Sequence, residues 1–274
     1  MKVSIATLMS VYRGDKPALV ASAIDSILAQ EFTQDVDSRI YLAIDGPIPL
    51  NVRKVIDDRI SKIHLIVEVE KNSGLASALN NLISKLKDED FIFRMDADDV
   101  SMPNRYQSQL NYFRSNKNVD IVGTDILEIN EITGLNRRVS FARSHTDALA
   151  KLCWRVPVAH PTVCFRRHVL QQVSGYPITG TNEDVALWFV CAKHGFRFGN
   201  VNEPLLNFRI SEEFWRRRSF RKAFSEFVCY VTGIWSLYGL TWRYIFPVLR
   251  FLMRVSPKFV SQLAYASKAL RSSG

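Results

Sequence analysis

Cysteine is scarce in this 274-residue chain, and the four present, Cys153, Cys164, Cys191 and Cys229, stand far apart. No C-x-x-C pair and no zinc-like spacing occurs, which argues against both a disulfide framework and a structural zinc site. Each cysteine lies in an apolar stretch and reads as a buried, reduced thiol, in keeping with a cytoplasmic compartment. Glycine-rich phosphate loops are missing too: there is no G-x-x-x-x-G-K, no G-x-G-x-x-G and no G-x-S-x-G elbow. Any phosphate handling would therefore rest on metal and side chains. Long hydrophobic runs are also lacking. The uncharged stretch Phe227–Trp242 has 16 residues and contains Thr232, Gly233, Ser236 and Gly239, short of the about 20 predominantly apolar residues a spanning helix needs.

Acidic residues are lacking at one end only. Residues 209–274 carry 12 Lys+Arg against 3 Asp+Glu, whereas residues 1–208 carry 24 of each, so the whole net charge of +9 sits in the tail. A basic surface spread over the fold, as in a nucleic-acid-binding core, is disfavoured. What is present, 47% apolar and 23% charged residues, is the usage of an ordinary globular protein and excludes disorder, collagen and coiled coil. The apolar start, Val3–Val11, lacks a small-x-small cleavage site and runs straight into Arg13-Gly14-Asp15. It reads as a buried first strand and its turn rather than a signal peptide.

The first hundred residues alternate strand and helix. Val3–Ser10, Arg39–Ile44, His64–Val69 and Phe91–Met95 are strand-like. Between them, a segment opening at Pro17, Val52–Ile60 and Leu75–Leu86 repeat apolar residues at helical spacing. That pattern predicts a mostly parallel sheet covered on both faces, in which ligands bind beyond the carboxyl ends of the strands. Three polar turns fall at such ends: Ser10–Arg13, Asp45–Gly46 and Asp96–Asp99. Farther on, Val119–Asn130 reads as strand, Cys153–Phe165 as strand and loop, and Glu183–His194 as an amphipathic helix capped by Thr181 or Asn182. We divide the chain into a body, 1–213, with a nucleotide-binding half to about 100 and an acceptor half from there, and a basic helical region, 214–274.

Arg94-Met95-Asp96-Ala97-Asp98-Asp99 is the sharpest local feature. Continued as strand, Asp96 and Asp98 would face the same way. Two such carboxylates repel, and a divalent cation, Mg²⁺ or Mn²⁺, removes that penalty. The plain alternative is a solvated turn with Asp99 or Ser101 capping the helix near Pro103. Asp45 either accepts from a nucleobase or ribose or simply makes an Asp-Gly-Pro turn. Glu183 and Asp184 open a helix, where the dipole favours acids; a carboxylate held there can also act as a general base. His160 in its apolar setting reads equally as a hydrogen-bonded structural residue.

Taken in order, these pieces resemble the bacterial family 2 glycosyltransferases of GT-A fold, of the amylovoran, colanic-acid and O-antigen type. The resemblance runs from Val3 to about Arg218. It is carried by Met9-Ser10-Val11-Tyr12, Ser26-Ile27-Leu28-Ala29-Gln30, Ile44-Asp45-Gly46-Pro47, Lys71-Asn72-Ser73-Gly74-Leu75-Ala76 and the 94–99 motif. His160-Pro161-Thr162-Val163, Gly175-Tyr176, Glu183-Asp184-Val185-Ala186-Leu187-Trp188 and Phe208-Arg209 complete it. The resemblance implies an α/β GT-A fold and roles for individual residues. Ser10, Tyr12 and Asp45 would hold uridine, with Asn72 and Arg94 also on the nucleotide-sugar. Asp96 would meet the ribose and join Asp98 at the cation. Asp184 would be the catalytic base, His160, Glu183 and Trp188 would shape the sugar and acceptor pocket, and Arg209 would neutralise the departing diphosphate. Two positions depart from the pattern. Arg13 stands where many relatives carry Asn, and no His follows Phe208-Arg209.

The implied reaction is a metal-dependent inverting transfer of a hexose, galactose by analogy, from a UDP-sugar to a polyprenyl-diphosphate-linked saccharide in O-antigen or exopolysaccharide synthesis. Other donors (UDP-glucose, UDP-N-acetylglucosamine, dTDP-rhamnose), a non-catalytic scaffold on the same fold and a nucleotidyltransferase are the alternatives. Asp96, Asp98 and Asp184 together argue against a scaffold, and the missing glycine loop against a nucleotidyltransferase. In the tail, Arg243, Arg250, Arg254 and Lys258 punctuate Trp242, Tyr244, Phe246, Leu249 and Phe251. This is the composition of helices lying in a membrane interface with basic side chains toward anionic head groups. The expected location is cytoplasmic, peripheral to the inner membrane; a helical cap packed on the catalytic body is the alternative.

Overall fold

The computed structural model describes residues 2–210 and 220–255. The boundary expected at 213/214, and Lys258, lie outside the described residues. Strand β1 (Val3–Tyr12) lies between β2 (Val36–Asp45) and β4 (Phe91–Met95), with β3 (Leu65–Val69) beyond β2, and all four run parallel. Helices α1 (Pro17–Leu28), α2 (Leu50–Asp57) and α3 (Leu75–Ile83) connect them. The apolar run of β1 serves two cores at once. Ala6 and Leu8 face the side covered by α3, while Ile5, Met9 and Val11 face the side covered by α1 and α2. That is why no polar alternation shows in this strand.

The sheet continues through β8 (Cys164–Arg166), β6 (Ile121–Asn130), β9 (Phe198–Ile210) and the two-residue β5 (Val100–Ser101), with β7 (Asn136–Val139) paired to β6. β8 runs antiparallel to both neighbours, whereas β6 and β9 are parallel. Helix α4 (Arg105–Ser115) covers one face. The other is covered by α5 (His145–Lys151), α6 (Arg167–Gln172) and α7 (Glu183–Lys193). The chain order turns back beside β1, so the crevice between the ends of β1 and β4 is the topological switch point where such sheets take ligands. All four cysteines are free thiols, three of them buried.

One local expectation is made definite and two are corrected. Residues 153–163 are irregular, with a 3₁₀ turn at His160–Thr162, and only Cys164–Arg166 pairs as strand. Neither Asp99 nor Ser101 caps α4, whose N-cap is Asn104. Neither Thr181 nor Asn182 caps α7 through its side chain. Asn182 is left-handed (φ 61°), and its amide turns to Thr181 Oγ1 and Ser225 Oγ (3.1 and 3.4 Å).

The C-terminal helices α8 (Phe220–Tyr238) and α9 (Ile245–Val255) form a hairpin packed on α7. Phe189 of α7 sits where a Cβ on Gly233 would fall, and it meets Tyr230 edge-on at 5.9 Å. Arg250 and Arg254, expected to point at head groups, instead turn inward to Glu226, buried in α8 (both closest N–O distances 2.7 Å). Arg250 also donates to Trp154 O (3.0 Å). One buried carboxylate thus holds two cations, and removing it leaves both without compensation. Glu226→Ala is expected to cost about 1–3 kcal/mol, less than for a fully buried pair because the arginines keep some solvent contact. Chemical denaturation of the two chains side by side measures this. Among the described residues no helix is long and apolar enough to cross a membrane.

Candidate active site

Four strand ends and one helix start converge on the switch point. At the end of β1, Ser10 and Tyr12 are half-buried, and the Tyr12 N–H donates to Asp15 Oδ2 (2.9 Å), tightening the turn. At the end of β2, Asp45 is buried, and its carboxylate is fully engaged. It accepts from Asn72 Nδ2 (2.9 Å), the Ser73 N–H (2.7 Å), Ser73 Oγ (3.0 Å) and the Gly74 N–H (2.9 Å). A carboxylate offers about four acceptor positions, so Asp45 first frames the loop entering α3. Gly46 (φ 82°) is part of that frame, since a Cβ there would lie 2.6 Å from the Asn72 nitrogen. Asp45 and Asn72, both expected to contact nucleotide, are therefore bonded to each other.

At the end of β4 the strand stops at Met95, so Asp96 and Asp98 do not alternate along a strand. A turn gathers them instead, and it adds Asp99. One ligand oxygen from each of the three lies within 4.8 Å of the others. Asp98 is exposed, Asp96 half-buried and Asp99 buried. Asp99 Oδ1 accepts the Arg209 N–H (3.1 Å) from β9, whereas its buried Oδ2 has no partner. Burial, then the charges of Asp96 and Asp98, push the Asp99 carboxyl well above its usual value. An orphaned buried oxygen beside two further carboxylates is a donor set that suits a hard divalent cation. Arg209, expected to face the diphosphate, pairs with Glu131 of the β6–β7 turn (3.0 Å).

Beneath this turn lies Arg94, 2% exposed. Its Nη2 pairs with Asp96 Oδ1, while Nε and Nη1 have no partner. Burial disfavours its charge, yet Asp96, joined by Tyr176 and Asp99, outweighs that and the net shift is upward. The fully buried Arg105 supports it by donating to Arg94 O (2.9 Å) and Pro161 O (3.3 Å). Arg94 also lowers the pKa of His160, after the larger effect of burial, so His160 is neutral at pH 7. His160 Nε2 meets the Tyr176 hydroxyl at 3.0 Å. Tyr176 is itself clasped by Asn80 of α3, which accepts its N–H (2.7 Å) and donates to its carbonyl (2.8 Å). Gly175 (φ 85°) is required for this, because a Cβ would lie 2.4 Å from Asn80 Oδ1.

Glu183 and Asp184 stand in the first turn of α7, both half-buried. Burial, then Glu183, push Asp184 up to about 6, partly opposed by the Val185 N–H and by Arg94. Arg94 thus acts electrostatically on Asp184 at one side and pairs with Asp96 at the other. Trp188, expected to help shape the pocket, is fully buried and packs edge-on to His160 at 6.2 Å. At helical spacing from Asp184 it belongs to the inward face of α7. Residues without a sequence-level assignment are Asp99 as a third carboxylate, Arg105, Glu131, and the Asn80–Tyr176 clasp. Of these only Asp99 and Tyr176 lie in recognisable motifs.

The fold is shared with solved structures that include complexes with a nucleotide or a nucleotide-sugar. Staphylococcus aureus TarS 1–349 in complex with UDP superposes with a TM-score of 0.63 at 13% identity, over 95% of this chain and 83% of that one. A longer TarS chain is half covered (50%). The mannosyltransferase PcManGT of Pyrobaculum calidifontis, in complex with GDP-Man and Mn²⁺, gives 0.60 at 14% identity, over 97% and 79%. At these identities the likeness defines the class of fold, GT-A. The profile of Glycosyl transferase family 2 matches residues 8–174, and the chain belongs to that family. Among relatives, the Escherichia coli O-antigen biosynthesis glycosyltransferase WbnJ is 32% identical over 214 residues, 75% of this chain and 79% of its own. The UDP-Gal:alpha-D-GlcNAc-diphosphoundecaprenol beta-1,3-galactosyltransferase of Escherichia coli is 28% identical over 212 residues, 77% and 76%. AmsE of amylovoran biosynthesis in Erwinia amylovora is 27% identical over 212 residues, 77% and 78%.

Proposed function

We propose that this glycosyltransferase moves a hexose, galactose first among candidates, from a UDP-sugar onto a polyprenyl-diphosphate-linked saccharide, by one inverting displacement, in O-antigen or exopolysaccharide synthesis. The observation that carries the reading is Asp184, a first-turn carboxylate poised at about 6 and coupled through Arg94 to the Asp96–Asp98–Asp99 turn. The donor class and acceptor class are those in the name of one relative, 28% identical, and the O-antigen setting is that in the name of another.

In this reading the acceptor hydroxyl oxygen bonds to the anomeric carbon as the bond to the diphosphate oxygen breaks. Asp184 takes the hydroxyl proton, its ionised form prevailing above about pH 6. Asp96, Asp98 and Asp99 would hold a Mn²⁺ or Mg²⁺ ion, which when bound neutralises diphosphate charge. Arg209 exchanges Glu131 for a diphosphate oxygen. The Arg94 N–H groups left unpaired supply fixed positive charge under the donor. His160, neutral and fixed by Tyr176, offers a hydrogen bond to a sugar hydroxyl. Ser10 and Tyr12 flank the uracil, and Asp45 and Asn72 frame its far wall, exchanging one internal hydrogen bond for one to the base. The enzyme works at the cytoplasmic face of the membrane, where a lipid-linked acceptor resides.

Incubation with UDP-galactose, UDP-glucose, UDP-N-acetylglucosamine and dTDP-rhamnose, Mn²⁺ and a GlcNAc-diphospho-lipid tests the reading by mass spectrometry of the lipid product. Galactosyl transfer is expected. Release of no nucleotide from any donor, with no thermal stabilisation by UDP and Mn²⁺, would reject it and favour a scaffold.

A further inference from the structure

An amphipathic helix of a water-soluble protein turns its apolar face to the core. Helix α9 is apolar on both sides: the buried Pro247 and the half-buried Phe246 face the core. Arg250 and Arg254 face inward to Glu226, while Ile245, Val248, Leu249, Leu252 and Met253, at i, i+3, i+4, i+7 and i+8, form an outward stripe that is 42–60% exposed. The neighbouring helix α8 adds Phe220, Phe224, Val228 and Trp235 on its own outward side. The turn between the two helices carries Leu240 and Trp242, 87% and 72% exposed. Of the nineteen large apolar side chains exposed among the described residues, twelve lie in 220–255. A patch so concentrated marks an interaction surface rather than scattered surface residues.

We infer that the α8–α9 hairpin docks on a lipid bilayer by sinking this apolar stripe, led by Leu240 and Trp242, into the interfacial layer, with hydrophobic burial rather than arginine–phosphate pairing as the main attraction. The occupant follows from the charge at the patch margin. Among the described residues of 220–255 the one acid, Glu226, is buried, and Arg221 and Lys222 adjoin Phe220 and Phe224 in the sequence. A two-fold contact between copies would set identical patches, and so like charges, against each other, whereas a membrane surface carries anionic head groups. Tryptophans near the hairpin tip match the residues enriched at membrane–water boundaries. The surface also adjoins the chemistry. Ser225 Oγ of α8 meets Thr181 Oγ1 at 2.6 Å, and Cys229 Sγ lies 3.8 Å from Asn182 O, both just ahead of Asp184. A chain held by this stripe would have the loop before its base anchored on the membrane-docked helix. This deepens the lipid-linked acceptor reading and rests on it.

The test is co-sedimentation of the full chain with phosphatidylcholine vesicles free of any sugar acceptor, with light scattering of the free chain. Wild type is expected to pellet about equally at about 0.1 M and about 1 M salt, between which the Debye length falls from about 10 to about 3 Å. The double variant Leu249→Glu, Leu252→Glu is expected to bind at least about tenfold less, since each leucine buried is worth about that much. Both side chains are exposed, so the fold is not at stake, and equal thermal melting checks that. Leu135→Glu, at an exposed leucine on the β6–β7 turn, is expected to pellet as wild type. Undiminished binding of the double variant would overturn the inference. So would pelleting that needs phosphatidylglycerol and is abolished by salt, or a wild-type dimer that the double variant converts to a monomer without any vesicle binding. Vesicle binding without any sugar transfer would support docking and reject the acceptor reading alone.

Discussion

Asp184→Asn is expected to lower kcat by about 10²–10⁴, the usual loss on removing a general base, while nucleotide-sugar affinity by calorimetry stays nearly unchanged. The same substitution is expected to make the protein more stable at neutral pH. Asp184 titrates near 6 in the folded chain against an ordinary value of 3.8. Its folded pKa is raised, so stability is highest below the unfolded value and declines as pH rises from about 4 through about 6. The full difference corresponds to about 3 kcal/mol, and partial solvent contact reduces it to about 1–2 kcal/mol. Asn carries no charge and escapes this decline. The variant should therefore melt about 2–6 °C above wild type at pH 8 and within about 1 °C of it near pH 4. For the wild-type enzyme, kcat/KM should rise with pH through about 6, following ionisation of the base. A variant that loses donor affinity, or a melting difference that persists unchanged at pH 4, would remove Asp184 from this role.

How much of this could be read in the sequence depended on whether the cause was local. Strands β1 and β2 announce themselves through runs such as Ile40–Ile44, because a segment covered on both faces is near-continuously apolar, and β4 does so although the buried Arg94 interrupts it. The acidic motif was legible as composition but not as geometry. Strand alternation would pair Asp96 with Asp98, whereas a turn after Met95 brings Asp99 in as well, and turn geometry is not encoded in three carboxylates. Residues 153–163 are as apolar as a strand because they are buried as a loop, held by contacts such as the Thr124 N–H to Thr162 Oγ1 (3.0 Å). The Asn80–Tyr176 clasp spans 96 residues, and nothing near Asn80 marks it. The tail shows the clearest failure. Composition marks the tail as basic and aromatic, yet which face of α9 meets the protein depends on partners elsewhere: Glu226 on α8 draws in Arg250 and Arg254, and Pro247 and Phe246 pack on the core. Either orientation was thus equally compatible with the sequence.

Asp98→Asn is expected to abolish most of the response to manganese without weakening the fold. Asp98 is the exposed member of the turn, so its replacement falls in the class of surface changes within about 0.5 kcal/mol, and removing a charge that opposes ionisation of Asp99 acts in the stabilising direction. A ligand that binds only the folded chain stabilises it by about 2.7 kcal/mol at a hundredfold excess over its Kd, about 5–11 °C of melting temperature for a chain of this size. Wild type with UDP and Mn²⁺ should show a gain of that order, and Asp98→Asn little of it, with turnover reduced about 10²–10³. Asp99→Asn separates two roles for the buried carboxyl. Asn can still accept the Arg209 N–H that Asp99 Oδ1 now accepts at 3.1 Å, but it cannot supply a second anionic oxygen where Oδ2 now stands without a partner. Loss of the manganese gain in Asp99→Asn, with melting of the free chain preserved, is the expected result and makes the buried carboxylate a ligand. Retention of the gain would reduce Asp99 to a strut that holds β9 against the turn, and retention in both variants would move the cation away from this turn altogether.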